Sequence, residues 1–113
     1  MRRAAKTDDN HARCVSVLRA NGWSVLSLAA HGRGVLDLLV ARDRFTCLLE
    51  LKDGAKPASK RRLTKDQQAF VRQWKGAWAV VIKAEEAPQI AENLRSDYFW
   101  DCRNEPLQFI GSD

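Results

Sequence analysis

The chain has 113 residues, 45% of them apolar, with a formal net charge of +5 and an isoelectric point near 9.4. This length suits one domain around one core, and the basic balance points to an anionic partner, nucleic acid ahead of a membrane surface. No apolar run approaches the ~20 residues that span a bilayer, and the basic opening, Met1 to Lys6, leads into no apolar stretch, which is not the pattern of a secretory signal.

Residues 1–7 read as a basic flexible arm, residues 8–95 as a single domain, and residues 96–113 as a C-terminal extension with no assignable element. Asp8 or Asp9 can cap a first helix that runs to about Ala20. Ala12, Val15 and Leu18 recur at helical spacing and form its expected buried face. Asn21-Gly22 stops it. Trp23 to Ala29 reads as a strand that Gly32-Arg33-Gly34 breaks.

Leu36 to Ala41 is the second expected strand and Thr46 to Lys52 the third, with Arg42-Asp43-Arg44-Phe45 as a hairpin loop between them. Such a loop pairs Ala41 with Thr46, Leu39 with Leu48 and Asp37 with Glu50. Directly opposed side chains share a face of a sheet, so the two acids meet. Glu50 and Lys52 lie two apart on one strand and share that face as well. A slip of one residue would scatter all three groups.

Asp53 to Arg62 is a polar loop. Thr64-Lys65-Asp66-Gln67 has the capping-box pattern, opening a helix whose Gln67, Phe70 and Trp74 share a face. Lys75-Gly76 ends it, Ala77 to Ile82 is a fourth strand, and a last helix is expected near Glu86 to Arg95 with Pro88 in its first turn. The order α-β-β-β-α-β-α is an α/β arrangement: a mixed β-sheet flanked by helices, its first three strands an antiparallel meander.

Cys14, Cys47 and Cys102 are far apart and include no Cys-x-x-Cys pair, which disfavours a zinc ribbon. Cys14 and Cys47 read as small core residues, and a reducing, cytoplasmic setting is expected. Trp23, Trp74 and Trp78 also read as core. Tyr98, Phe99 and Trp100 form an aromatic cluster for which packing is the simplest role.

The run Gly34-Val35-Leu36-Asp37-Leu38-Leu39-Val40, followed by Leu49-Glu50-Leu51-Lys52-Asp53-Gly54, resembles the PD-(D/E)XK nuclease superfamily, and more closely its VRR-NUC-like group of phages and bacteria. Ser59 to Thr64, Gln67 and Trp74-Lys75-Gly76 leading into Ala79-Val80-Val81 support the resemblance, which covers roughly residues 8 to 90. It implies a restriction-endonuclease-like core and a metal-dependent DNA endonuclease acting on branched DNA such as a Holliday junction or flap. It also implies a bacterial or phage-infected host and catalytic roles for Asp37, Glu50, Lys52 and Gln67. Two departures stand out. The family usually has Pro-Asp where this chain has Leu36-Asp37, and often Glu or Gln where His11 stands.

Phosphodiester hydrolysis needs a nucleophilic water and compensation of developing charge, which a hard cation on oxygen ligands supplies. On this reading Asp37, Glu50 and the Leu51 carbonyl hold Mg²⁺, with Mn²⁺ as a substitute, while Lys52 orients or helps deprotonate the water. Lys56, Lys60, Arg61, Arg62 and Lys65, with Arg33, are the expected grip on the DNA backbone, which adds affinity without sequence preference. Because two strands require two cuts, a symmetric homodimer is expected. Plainer readings stand beside these. Glu50 and Lys52 can be a surface ion pair, Asp37 a turn residue, Gln67 only the capping partner of Thr64, His11 a solvated helix residue, and the basic run a solvated loop. The competing function is a catalytically inactive nucleic-acid-binding module derived from a nuclease, and an RNA-directed nuclease is a third.

Overall fold

The computed structural model describes residues 9–32 and 34–104. The basic arm at 1–7, Asp8, Arg33 and residues 105–113 lie outside the described residues. Helix α1 (Asp9–Ala20) leads to strands β1 (Ser24–Ser27), β2 (Leu38–Arg42) and β3 (Phe45–Leu51). Helix α2 (Lys65–Gln73), strand β4 (Ala77–Val81) and helix α3 (Ala87–Asn104) follow. Short 3-10 turns at Ala58–Lys60 and Ala84–Glu86, which the sequence reading did not include, precede α2 and α3.

The four strands form one sheet in the order β1-β2-β3-β4. The pairs β1/β2 and β2/β3 are antiparallel, whereas β4 joins β3 in parallel, so the sheet is mixed. A parallel neighbour needs a crossover, which the segment containing α2 provides. Ala41 pairs with Thr46 and Leu39 with Leu48. The loop is shorter than expected. Arg42 pairs with Phe45, leaving only Asp43 and Arg44 in the turn, both left-handed at φ 54° and 72°. Two successive positive φ values match the twist of an antiparallel ribbon. Shortening the loop by one residue on each side preserves every pairing.

Helix α1 ends in a Schellman arrangement. Trp23 N–H donates to the Leu18 carbonyl at 3.0 Å and Gly22 N–H to that of Arg19 at 3.1 Å, with Gly22 at φ +90°. Leu18 and Trp23 are both buried, which supplies the hydrophobic contact of the motif.

The main core lies on one side of the sheet. Cys14 and Leu18 of α1 and Ala87 and Ala91 of α3 pack with Trp23, Leu38, Val40, Phe45, Cys47, Leu49, Val81 and Ala84. The buried stripe of α1 is therefore Cys14 and Leu18, with Val15 partly buried; Ala12, expected in it, faces solvent. Val15 and Leu18 alone cannot separate the neighbouring stripes, because positions three and four apart both lie on one face. The sequence expectation also fails for the segment after Arg95. Helix α3 continues without a break to Asn104, and Phe99 packs against the core. Trp74, expected inside, is 37% exposed, stacked on Phe70 at 5.7 Å. No helix among the described residues is long and apolar enough to cross a membrane.

Candidate functional site

The site forms where β2 begins and β3 ends. Asp37 directly precedes β2 and is tied on three sides. Its carbonyl accepts from Leu28 N–H at 2.7 Å, its N–H donates to Glu50 Oε1 at 3.1 Å, and its Oδ2 accepts from Leu51 N–H at 3.0 Å. Asp37 is therefore tied to the end of β3 at two neighbouring residues, the Glu50 side chain and the Leu51 backbone. Lys52 N–H donates to the Val81 carbonyl at 2.9 Å, which fixes the end of β3 beside β4.

From the other direction α2 delivers Gln67. Thr64 and Gln67 close a reciprocal capping box: Gln67 N–H donates to Thr64 Oγ1 at 3.1 Å and Thr64 N–H to Gln67 Oε1 at 2.9 Å. The same side chain reaches the sheet. Gln67 Nε2 donates to Glu50 Oε2 at 2.8 Å, and Gln67 Oε1 accepts from Lys52 Nζ at 3.2 Å. Lys52 Nζ also pairs with Glu50 Oε2 at 3.2 Å. Glu50, Lys52 and Gln67 thus form a closed triangle, and Gln67 is both helix cap and site residue.

A glycine permits this approach. Gly34 sits at φ +84°, and a Cβ there would come within 2.6 Å of the Asp66 carbonyl oxygen. The loop entering β2 therefore lies directly against the first turn of α2.

Glu50 is 4% exposed, the sole buried charged residue among the described ones. Burial pushes its carboxyl above the usual range, and the negative charge of Asp37 pushes it further; the Gln67 hydrogen bond and Lys52 act the other way. The Asp37 charge is also felt on α1. Burial, and then Asp37, raise the Cys14 thiol to about 11. Burial alone raises Cys47 to about 12, so both thiols are unreactive core groups.

Glu50 Oε1 and Oε2 both accept hydrogen bonds, whereas Asp37 Oδ1 accepts none among the described residues. Two neighbouring carboxylates, the buried Glu50 with its proton affinity raised by burial and by Asp37, suit a hard cation with oxygen ligands. Among the described residues, no group of three or more His, Cys, Asp or Glu side chains is assembled for a metal. The donor set available is the two carboxylates with the Leu51 carbonyl, whose residue sits between Glu50 and Lys52 at the end of β3.

The basic residues follow directly. Lys56, Lys60, Arg62 and Lys65 are exposed on the loop and on the first turn of α2, and none is ion-paired among the described residues. Arg61 is half-buried, and its Nε has no hydrogen-bond partner among the described residues. Arg33 lies outside the described residues. His11 is half-buried on α1, one helical turn from Cys14. His31 is exposed.

The sequence reading missed a second group of residues at the opposite end of β3. Arg44, Phe45, Lys75, Gly76 and Tyr98 line a cavity of about 270 Å³ there. The register contained part of the signal, since Lys75 falls two steps before the Cys47–Ala77 pair and therefore beside Phe45. Tyr98 was not placeable without the full course of α3. Comparison of the chain with protein-family models, with curated proteins and with solved structures returned no match.

Proposed function

We propose that the chain is a metal-dependent DNA endonuclease with a restriction-endonuclease-like core of the PD-(D/E)XK type, acting on branched DNA as a homodimer. The observation that carries this reading is the convergence of Asp37, Glu50, Lys52 and Gln67 within one hydrogen-bonded cluster. A surface ion pair would not account for it. A buried glutamate whose proton affinity is raised by a neighbouring aspartate is costly for folding and is the kind of arrangement that functional sites retain.

Asp37, Glu50 and the Leu51 carbonyl would hold Mg²⁺, with Mn²⁺ as a substitute, and the ion would polarise the phosphate and lower the pKa of a nucleophilic water. Mg²⁺ commonly binds through one or two carboxylates together with substrate phosphates, so two acids suffice. Lys52 places a positive charge beside Glu50 and can donate to a phosphate oxygen or orient a water. Gln67 restrains both Lys52 and Glu50, and through its capping box ties their positions to the start of α2. The cations from Lys56 to Lys65 lie on the chain segment joining Lys52 to Gln67, where they can hold the phosphate backbone.

The test is cleavage of four-way junction, flap and linear duplex DNA with Mg²⁺ or Mn²⁺, comparing the wild-type chain with Lys52→Ala. Metal-dependent cutting that the variant loses by about a hundredfold or more supports the nuclease. DNA binding without cutting on every substrate favours the inactive binding module instead. For the dimer, a monomeric mass at assay concentration both with and without DNA would rule it out.

A further inference from the structure

We infer that the cavity between β3, β4 and α3 is a second nucleic-acid contact, which takes one nucleotide of single-stranded DNA, its phosphate on Arg44 and Lys75 and its base against Tyr98. Three observations meet there. The space is about 270 Å³ and is lined by two cations and an aromatic ring. Among the described residues neither Arg44 nor Lys75 has a carboxylate partner: Asp43, the nearest acid in sequence, faces Arg95 at 3.4 Å and Arg42 at 3.9 Å. Two cations beside one cavity repel each other, and an anion relieves that repulsion. The Tyr98 ring is 51% exposed yet held in place, 5.5 Å from Phe45 and 5.2 Å from Phe99. A fixed, half-open ring next to cations is the pairing that single-strand binding surfaces use, with stacking for the base and charge for the backbone.

The backbone prepares this placement. Arg44 occupies the second left-handed position of the two-residue turn, at φ 72°, where an unstrained chain would have glycine. Gly76 sits against the Trp74 indole, where a Cβ would come within 2.9 Å of Nε1. The parallel register of β3 and β4 brings Lys75 beside Phe45.

The contact stands on its own cavity and charges and does not depend on the nuclease reading.

The experiment is fluorescence anisotropy of a labelled ten-nucleotide oligothymidylate with the full chain in EDTA, titrated at several salt concentrations. Arg44→Gly with Lys75→Gln should weaken binding at least about tenfold and flatten the log K against log salt slope by about 0.7, the value for one lost phosphate contact on a single strand. Arg44→Gly also relieves the turn, so weaker binding cannot be ascribed to misfolding there. Tyr98→Ala alone should weaken binding about tenfold through lost stacking. A charge-matched control, Arg19→Gln with Lys83→Gln, should change affinity much less. The inference is overturned if the control weakens binding as much as the site variant, if the site variants bind like wild type, or if the wild-type chain binds no oligonucleotide. Because EDTA removes metal, weakened binding by a chain that never cuts would keep this contact and reject the nuclease. Cutting by a chain whose site variants bind normally would do the reverse.

Discussion

The side of the sheet covered by α1 and α3 and the side reached by α2 are held by different forces, although β3 serves both. Its alternate residues Cys47 and Leu49 enter the main core, which α1 and α3 close with Cys14, Leu18, Ala87 and Ala91. The residues between them, Leu48 and Glu50, are equally buried but lie outside that cluster. Helix α2 contributes no fully buried residue, and it meets the strand through Gln67 bonding to Glu50 and Lys52. One side is stabilised by apolar area, which is large and non-directional. The other depends on a few directional polar bonds, each worth about 1 kcal/mol net, and on burying a charge, which costs stability. A polar cluster on the second kind of surface can be rearranged by a ligand without opening the core.

The largest expected effect tests the dry side. Leu49→Ala should lower unfolding stability by about 3 kcal/mol or more, as for other buried leucines, whereas Phe70→Ala on α2 should cost less than half of that. Denaturant titration of both variants reads the difference, and equal costs would erase the contrast. Next comes the contact between the loop and α2. Gly34→Ala meets both a positive φ and the Asp66 backbone, so it should cost about 2 kcal/mol and separate Asp37 from Gln67. Thermal melts with a cleavage assay check this, and a variant with wild-type melting would refute the close approach.

Gln67→Ala should cost about 1 kcal/mol through the lost cap contact and hydrogen bonds, with a larger proportional loss of cleavage. A smaller loss of activity than of stability would reduce Gln67 to a helix cap. The smallest effect concerns Glu50 itself. Its carboxyl titrates above the ordinary value of 4.5 in the folded chain, so the fold favours the protonated form. Stability from this group is therefore present below pH 4.5 and is lost as pH rises from there through the folded value. In metal-free buffer Glu50→Gln should remove this dependence and melt higher than wild type near neutral pH. If the variant melts lower, the Lys52 ion pair outweighs the desolvation.

Much of this was legible because it is local. The Asp37–Glu50 juxtaposition followed from counting outward from the hairpin. It survived an error in loop length because one residue was removed from each side. The capping box at Thr64 and Gln67 and the stop at Gly22 are encoded within a few residues of each helix end. The errors fell where a helix face or end depends on what packs against it. Ala12 and Cys14 compete for the same stripe, and α3 continues past Arg95 because Phe99 finds the core.

The sequence by itself determined the coarse α/β arrangement, the pairing of β2 with β3 and the residues that can meet at their ends, since period and turn chemistry are written in neighbouring positions. Only the tertiary structure decided that Gln67 serves the site as well as its helix, that Glu50 is buried beside Asp37, and that Arg44, Lys75 and Tyr98 share one cavity. Those outcomes depend on how α2 and α3 settle on the sheet. That docking is a sum of many weak contacts between distant segments, and no short window of the chain contains it.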